Sequence, residues 1–263
     1  MNILEKIVHA KRKELVKLKE LTSYSELERS GLFNQPRSSF REHLLDKKPS
    51  IIAEFKRRSP SKGQFKKDIN ALEITRGYEL AGAAAVSVLT DLHFDGKKED
   101  IMEIAGNISI PVLRKDFIID AFQILEAKAI GASAILLIAA VLKKEEIIEL
   151  NNFARKLGLD VLLELHDIAE IDKIPENLDI VGINNRNLRN FEVDLENSIR
   201  LAEKLPAGMI KVSESGIDSV ETLLSLYESG FDAFLIGENF MKSDDPVASA
   251  KTFISNLENL MNR

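Results

Sequence analysis

Short apolar runs, rich in β-branched residues, recur along the chain at 50–55, 84–89, 110–113, 133–138, 160–165, 179–183, 209–213 and 232–236. They are mostly continuous rather than alternating with polar residues, the pattern of strands covered on both faces. Between them lie segments of helical period. In 143–157, Ile147, Leu150, Phe153, Ala154 and Leu157 share one face, with Lys143, Lys144, Glu145 and Glu149 largely opposite. Asp218 followed three residues later by Glu221 predicts a capping box at the start of another helix. Gly131, Gly158 and Gly230 each end a helical stretch just before a strand, where a C-cap glycine belongs. Eight strands alternating with helices predict a parallel sheet, and eight is the number that closes into an α/β barrel, the (β/α)8 or TIM barrel. An open doubly wound sheet is the weaker alternative, because no G-x-G-x-x-G follows the first run.

The 263 residues show no linker, low-complexity tract or sharp change in composition. A single barrel domain over 1–263 is expected, with the barrel at 50–263 and an N-terminal helical extension at 1–49. In the extension, Ile3, Leu4, Ile7, Val8, Leu15 and Leu18 form a helical stripe, and Ser25 with Glu28 predicts a second capped helix. Such a stripe should pack over one end of the barrel as a lid or clamp.

Composition narrows the chemistry. The net charge of −6 argues against nucleic acid as the main partner. With no cysteine, disulfides, thiolate metal sites and cysteine nucleophiles are excluded, and a cytoplasmic location fits. The first twenty residues are too charged for a signal peptide or a membrane span, so no membrane partner is expected. The four histidines are scattered without metal-ligand spacing, and His166 reads as a surface or supporting residue. Arg57-Arg58 reads as a solvated turn.

Barrel enzymes build their sites at the C-terminal ends of the strands. Here those ends carry Glu54 and Lys56, Thr90-Asp91, Lys115-Asp116-Phe117, Glu164 with His166 beyond, Asn184-Asn185-Arg186, Glu214-Ser215-Gly216 and Gly237-Glu238. A single charged residue at an apolar strand end is ordinarily a structural ion pair. So many converging on one mouth point to a catalytic site, because each would otherwise carry a burial penalty. Gly216 and Gly237 follow the last two strands and precede helical segments. Backbone N–H groups there can approach an anion, with Ser215 adding a hydroxyl and Glu238 turning its side chain away, so this is the expected phosphate site.

These segments together resemble indole-3-glycerol phosphate synthase. Glu54-Phe55-Lys56-Arg57-Arg58-Ser59-Pro60-Ser61-Lys62-Gly63 is similar to that family's E-x-K-x-x-S-P-S segment. Ser87–Asp91, Leu113–Phe117, the Glu164 strand, Gly182–Arg186, Ser213–Ile217 and Leu235–Gly237 follow in family order. The resemblance implies cofactor-free closure of 1-(2-carboxyphenylamino)-1-deoxyribulose 5-phosphate to indole-3-glycerol phosphate, carbon dioxide and water, in tryptophan biosynthesis. It implies Lys115 as general acid at the ketone and Glu164 in the proton transfers of the dehydration. How Lys115, Glu164 and Lys56 divide those dehydration steps is left open. Lys56 would bind the substrate carboxylate or phosphate, with Glu54 orienting it, and Asn184 would hydrogen-bond a sugar hydroxyl or the reacting oxygen. Arg186 and Glu214 would complete the ionic network, and Ser59 would help hold the anthranilate carboxylate. Phe94, Phe117 and Leu136 would form the slot for the aromatic ring. Ser215, Gly216 and Gly237 would take the phosphate.

The chain departs from the family in the loop 90–96, one residue shorter than usual with His93-Phe94 before the glycine, and at Asn187, where the family has Asp. Phosphoribosylanthranilate isomerase, a rival barrel, would require a Cys/Asp pair, and a retired sugar-phosphate sensor would have lost Lys115 or Glu164. The expected partner is a phosphorylated small molecule, and the expected assembly a monomer or weak homodimer.

Overall fold

The computed structural model describes residues 3–59, 63–65, 69–187 and 192–262. Pro60, Ser61 and Lys62 of the first-strand signature lie outside the described residues, as does the side chain of Ile3. Eight parallel strands close a barrel: β1 (Ser50–Phe55), β2 (Ala85–Leu89), β3 (Val112–Lys115), β4 (Ala134–Ile138), β5 (Asp160–Leu165), β6 (Ile180–Asn184), β7 (Ile210–Glu214) and β8 (Ala233–Ile236). Neighbours pair in sequence order, and β1 closes the ring by pairing with both β2 and β8. The third strand begins two residues later than its apolar run and extends through Lys115. Its pairing with β2 runs from Val112 to Lys115, and Thr90 N–H still donates to the Lys115 carbonyl. Proline 111 has no N–H to give a ladder, so it marks the entry rather than the body of the strand.

The outer helices are α4 (Ala71–Leu80), α5 (Lys98–Ile104), α6 (Ala121–Ile130), α7 (Lys144–Lys156), α8 (Leu195–Ala202), α9 (Val220–Glu228), α10 (Glu238–Met241) and α11 (Pro246–Met261). Between β5 and β6 the connection is a 3-10 helix, Ile168–Lys173, in place of an α-helix. Helix α7 buries Ile147, Leu150 and Ala154 as its period predicts. Gly131, Gly158 and Gly230 all adopt positive φ after their helices. Two predicted caps shift. Helix α9 is capped by Ser219, whose hydroxyl accepts from Thr222 N–H, not by Asp218. The second helix of the extension is Tyr24–Glu28, capped reciprocally by Ser23 and Glu26 rather than by Ser25 and Glu28. In both cases a nearby hydroxyl with its own backbone donor three residues on made a better-placed cap.

Strand alternation divides the interior in two. Ile51, Ala53, Phe55, Val86, Ile135, Leu137 and Leu163 face outward and pack under the helices. Ile52, Ala85, Leu113, Ala134, Leu162, Ile180, Val212 and Ala233 face into the lumen. The extension closes both ends, where only one was expected. Phe40 and Leu44 of α3 (Phe40–Asp46) are fully buried against the lumen residues at the N-terminal end. At the other end, Ile7 of α1 (Ile3–Leu21) packs with Phe117 and Leu136. Among the described residues, no helix is long and apolar enough to cross a membrane.

Lys11 fastens α1 to the barrel. Its ammonium is buried 2.8 Å from Asp91, 2.9 Å from Asp116 and 3.0 Å from Glu14. Asp116 also takes the Thr90 hydroxyl at 2.6 Å and Arg114 at 3.1 Å, and Arg114 continues to Glu126 at 2.8 Å. Burial would raise the Asp116 pKa, but Arg114 and Lys11 outweigh it and hold the group at about 2, below its ordinary 3.8. A depressed carboxylate contributes stability above its unfolded pKa and loses it as pH falls through its folded one. Acid unfolding followed by near-ultraviolet circular dichroism should therefore show stability lost between about pH 3.8 and about pH 2. Lys11→Met should lower the unfolding free energy by about 3–5 kcal/mol, as when one partner of a buried ion pair is removed. The readout is the urea midpoint at constant slope. An unchanged midpoint would mean that apolar contacts alone seat α1.

Candidate active site

The same alternation that builds the lumen delivers the polar side chains to its upper end. Ile52 and Glu54, Leu113 and Lys115, Leu162 and Glu164, Ile180 and Asn184, and Val212 and Glu214 are spaced by even numbers on their strands, so each pair shares a face. Pairing then brings them together: Leu89 stands opposite Lys115, Ile138 opposite Glu164, and Asn184 opposite Glu214. Every residue expected in the site, from Glu54, Lys56 and Ser59 to Glu214, Ser215, Gly216 and Gly237, lines one cavity at this mouth. Leu4 and Ile7 of α1 complete its wall.

Lys115 is the centre of the charge arrangement. Its Nζ lies 3.5 Å from Glu164 and 3.6 Å from Glu214. Beside it, Lys56 pairs with Glu54 at 2.5 Å. Burial opposes the charge on Lys115, but Glu164, Glu214 and Glu54 outweigh burial and push its pKa above the usual lysine value. The group is therefore an ammonium, a proton donor, at neutral pH. The two carboxyls beside it diverge. Burial raises both, yet Lys115, His166 and the Asn184 amide pull Glu164 below the ordinary carboxylate range. Glu214 is pushed above that range by burial and by the charges of Glu164 and Glu54, with Lys115 only partly offsetting them. Its hydrogen-bonding neighbour is the Glu164 carboxyl, which raises its pKa further. Like charges so close resist ionising together, and this drives the two pKa values apart.

One wall is apolar. The rings of Phe94 and Phe117 stack with centroids 6.4 Å apart and planes 21° apart, above Leu136 and Ile138. The loop after β2 therefore presents an aromatic ring to the cavity. The opposite wall is made by the loops after β6, β7 and β8. Ser215 and Gly216 take consecutive left-handed conformations, φ 69° and 71°. Asn185 braces this turn, donating from Nδ2 to the Ser213 hydroxyl at 3.0 Å and to the Ser215 carbonyl at 2.6 Å. The Glu238 side chain pairs with Arg186 at 3.0 Å, and Arg186 N–H donates to the Asn184 side-chain oxygen at 3.0 Å.

Three features were not read from the sequence. Arg57 is not a solvated turn: it is buried, forks onto Asp100 of α5 at 2.5 and 2.8 Å and lies over the Phe55 ring. Arg58, in contrast, is exposed. His166 is mostly buried, with Nε2 3.1 Å from Oε1 of Glu164. Gly182 and Gly237 have steric roles. A Cβ on Gly182 would collide with the Glu214 carboxylate, and one on Gly237 with Glu54. A glycine inside an apolar strand run is a signal of close approach, and Gly182 carried it.

The family model of indole-3-glycerol phosphate synthase matches residues 4–253. A curated indole-3-glycerol phosphate synthase of Bacteroides thetaiotaomicron is 45% identical, covering 98% of this chain and 99% of its own. The corresponding proteins of Koribacter versatilis and Bordetella pertussis are each 41% identical, covering 95% and 93% of this chain and 98% and 96% of their own. The chain belongs to the indole-3-glycerol phosphate synthase family. It is a carboxy-lyase of tryptophan biosynthesis that acts on a small phosphorylated substrate. Among solved structures, tryptophan synthase subunit alpha from Legionella pneumophila aligns with a TM-score of 0.62 at 13% identity, covering 86% of this chain and 99% of its own. A 3-hexulose-6-phosphate synthase from Salmonella typhimurium aligns at 0.63 and 15% identity, covering 80% and 99%. These two likenesses show the barrel fold.

In this indole-3-glycerol phosphate synthase family member, Gly182→Ala should displace Glu214 while leaving the barrel closed. Turnover is expected to fall at least about tenfold, an activation-energy loss of about 1.4 kcal/mol, with an unchanged far-ultraviolet spectrum. Wild-type turnover would show that the Glu214 carboxyl can move aside at no expense to the chemistry.

Proposed function

We propose the following division of labour in the conversion of 1-(2-carboxyphenylamino)-1-deoxyribulose 5-phosphate to indole-3-glycerol phosphate. The aniline nitrogen donates electron density into the ring, and the ring carbon bearing the carboxylate attacks the ketone. The Lys115 ammonium protonates the ketone oxygen as the bond forms. Loss of carbon dioxide returns the bonding electrons to the ring and restores aromaticity. Dehydration then requires a proton on the departing hydroxyl and removal of one from the neighbouring carbon. Glu164, ionised and within reach of Lys115, takes up the carbon proton. Lys115, recharged by proton transfer from solvent, supplies the proton on the departing hydroxyl; one proton is taken up from solvent overall and no oxidation state changes, so the proposal includes no metal or redox cofactor.

The observation that carries this reading is the position of the Lys115 ammonium between Glu164 and Glu214, facing a stacked aromatic wall. Phe94, Phe117 and Leu136 would hold the anthranilate ring, with Ser59 at its carboxylate. Lys56, oriented by Glu54, would bind a substrate anion, and Asn184 would bind a hydroxyl. Ser215, Gly216 and Gly237 would receive the phosphate, while Arg186, paired with Glu238, and Glu214, beside Lys115, complete the polar network. We propose further that the enzyme works in the cytoplasm as a monomer or weak homodimer, without nucleic-acid or membrane partners. Its net charge of −6 supports the exclusion of nucleic acid.

Purified protein incubated with this substrate, without added metal or cofactor, should generate indole fluorescence over a low background, because the chain has no tryptophan. Lys115→Ala and Glu164→Gln should each reduce turnover at least about a hundredfold, the lower range for lost acid–base catalysis, and remain folded. Unfolding of both variants would reassign these residues to a structural ion pair. Full turnover by the folded Lys115→Ala variant would remove Lys115 from the acid role.

A further inference from the structure

Glu164 has two oxygens, and they face different neighbours. Oε2 lies 3.5 Å from Lys115, at the cavity. Oε1 lies 3.1 Å from Nε2 of His166. His166 follows Glu164 by two residues, so strand parity carries it to the same side just beyond the end of β5. It is not part of the cavity lining, and reaches the chemistry only through Glu164. Its place is fixed from behind. The His166 N–H donates to Glu170 Oε2 at 2.7 Å, and Glu170 belongs to the 3-10 helix capped by Asp167. That the β5–β6 connection begins with this tight turn rather than an α-helix is what brings the imidazole back over the strand end.

We propose that His166 is a positioning residue that holds Glu164 through Oε1 and governs when Glu164 can take up and return a proton. The proposal rests on Glu164 acting in the dehydration. A base that accepts a proton from carbon must keep a fixed direction toward it, and a carboxylate held at one oxygen loses its freedom to rotate. The charge on the imidazole does the rest. Protonated, it favours the ionised carboxylate, and neutral, it releases that hold. The titratable groups facing His166 are Glu164 on β5, Glu170 on the 3-10 helix and Lys115 on β3. Burial and Lys115 disfavour its charge, but the two glutamates outweigh them and raise its pKa. Neither buried ring nitrogen makes a hydrogen bond of standard geometry among the described residues, so the 3.1 Å ion-pair approach of Nε2 to Glu164 is the polar contact that orients the ring.

Two substitutions separate orientation from charge. His166→Leu removes both. His166→Gln can place an amide N–H near the position of Nε2 but cannot carry charge. For His166→Leu, kcat should fall about tenfold, the loss expected for one charge-assisted hydrogen bond, with KM within about twofold. The step that loss of the His166 proton imposes on the wild-type kcat–pH profile above pH 6.5 should be absent. His166→Gln should recover most of kcat while likewise lacking that step. In the Glu164→Gln background, His166→Leu should reduce turnover no further. The imidazole resonance of His166, identified by its absence in His166→Gln, should titrate above pH 6.5 in the wild type and lower in Glu164→Gln. Wild-type kcat and pH profile in both folded His166 variants would overturn the proposal while leaving Glu164 in place. An imidazole midpoint unmoved by Glu164→Gln would do the same. Full activity in Glu164→Gln would overturn the reading of Glu164 itself, and with it this one.

Discussion

A closed parallel barrel gives each strand one face to the helices and one to the lumen, and the lumen has no exit for a charge except at the strand ends. Everything particular to this protein follows from how that space is filled. Apolar side chains occupy its lower and middle layers, from Leu44 and Ile52 to Leu162 and Val212. The uppermost layer holds Glu54, Lys115, Glu164, Asn184 and Glu214 at short range. Charges removed from water are tolerated only in close pairing. Lys115 is therefore held above the usual lysine range, Glu164 is drawn below the usual carboxylate range beside it, and Glu214 is pushed above that range. These opposed shifts are consequences of packing three carboxyls around too few cations.

Space is as confining as charge. The lumen can hold the Glu214 and Glu54 carboxyls only because the neighbouring inward positions are Gly182 and Gly237. At Gly237 the steric requirement is additional to the expected role in anion binding: the backbone there has φ −130°, which any residue could adopt, and it is the adjoining glutamate that excludes a side chain. Gly216 differs, since its φ is positive and its neighbour Ser215 is left-handed too. Together with Asn185, this turn presents the backbone toward the cavity.

The N-terminal extension is joined to this machinery rather than added to it. Helix α3 plugs the lower end of the lumen with Phe40 and Leu44, and α1 contributes Leu4 and Ile7 to the wall of the candidate active-site cavity. Lys11 neutralises Asp91 and Asp116, both at the cavity edge, where uncompensated carboxylates would repel an anionic substrate. The same ion pairs anchor the helix that covers the site, so stability and substrate charge are served by one lysine.

The apolar runs and their spacing determined the eight strands, the barrel and the strand ends at which Glu54, Lys115, Glu164 and Glu214 were expected, because strand period and the closure of eight strands are local and topological properties of the chain. The candidate site residues stood out because charge at an apolar strand end is conspicuous and because their motifs follow a family order, and the structure brings them to one cavity. What the sequence could not determine was how side chains distant along the chain share space. Lys11 reads as one more polar residue on a charged helix until tertiary structure sets it between Asp91 and Asp116, 80 and 105 positions away. Arg57 reads as part of a solvated turn until Asp100 folds against it. His166 reads as a supporting residue until the 3-10 turn places its ring on Glu164. Local caps at Ser23 and Ser219 were misplaced by a residue or two because several adjacent side chains could have accepted the bond, and only the backbone direction entering the helix decided which one did. Period and composition are written along the chain, whereas the partner of a buried charge is decided by three-dimensional proximity, through the penalty of leaving that charge alone.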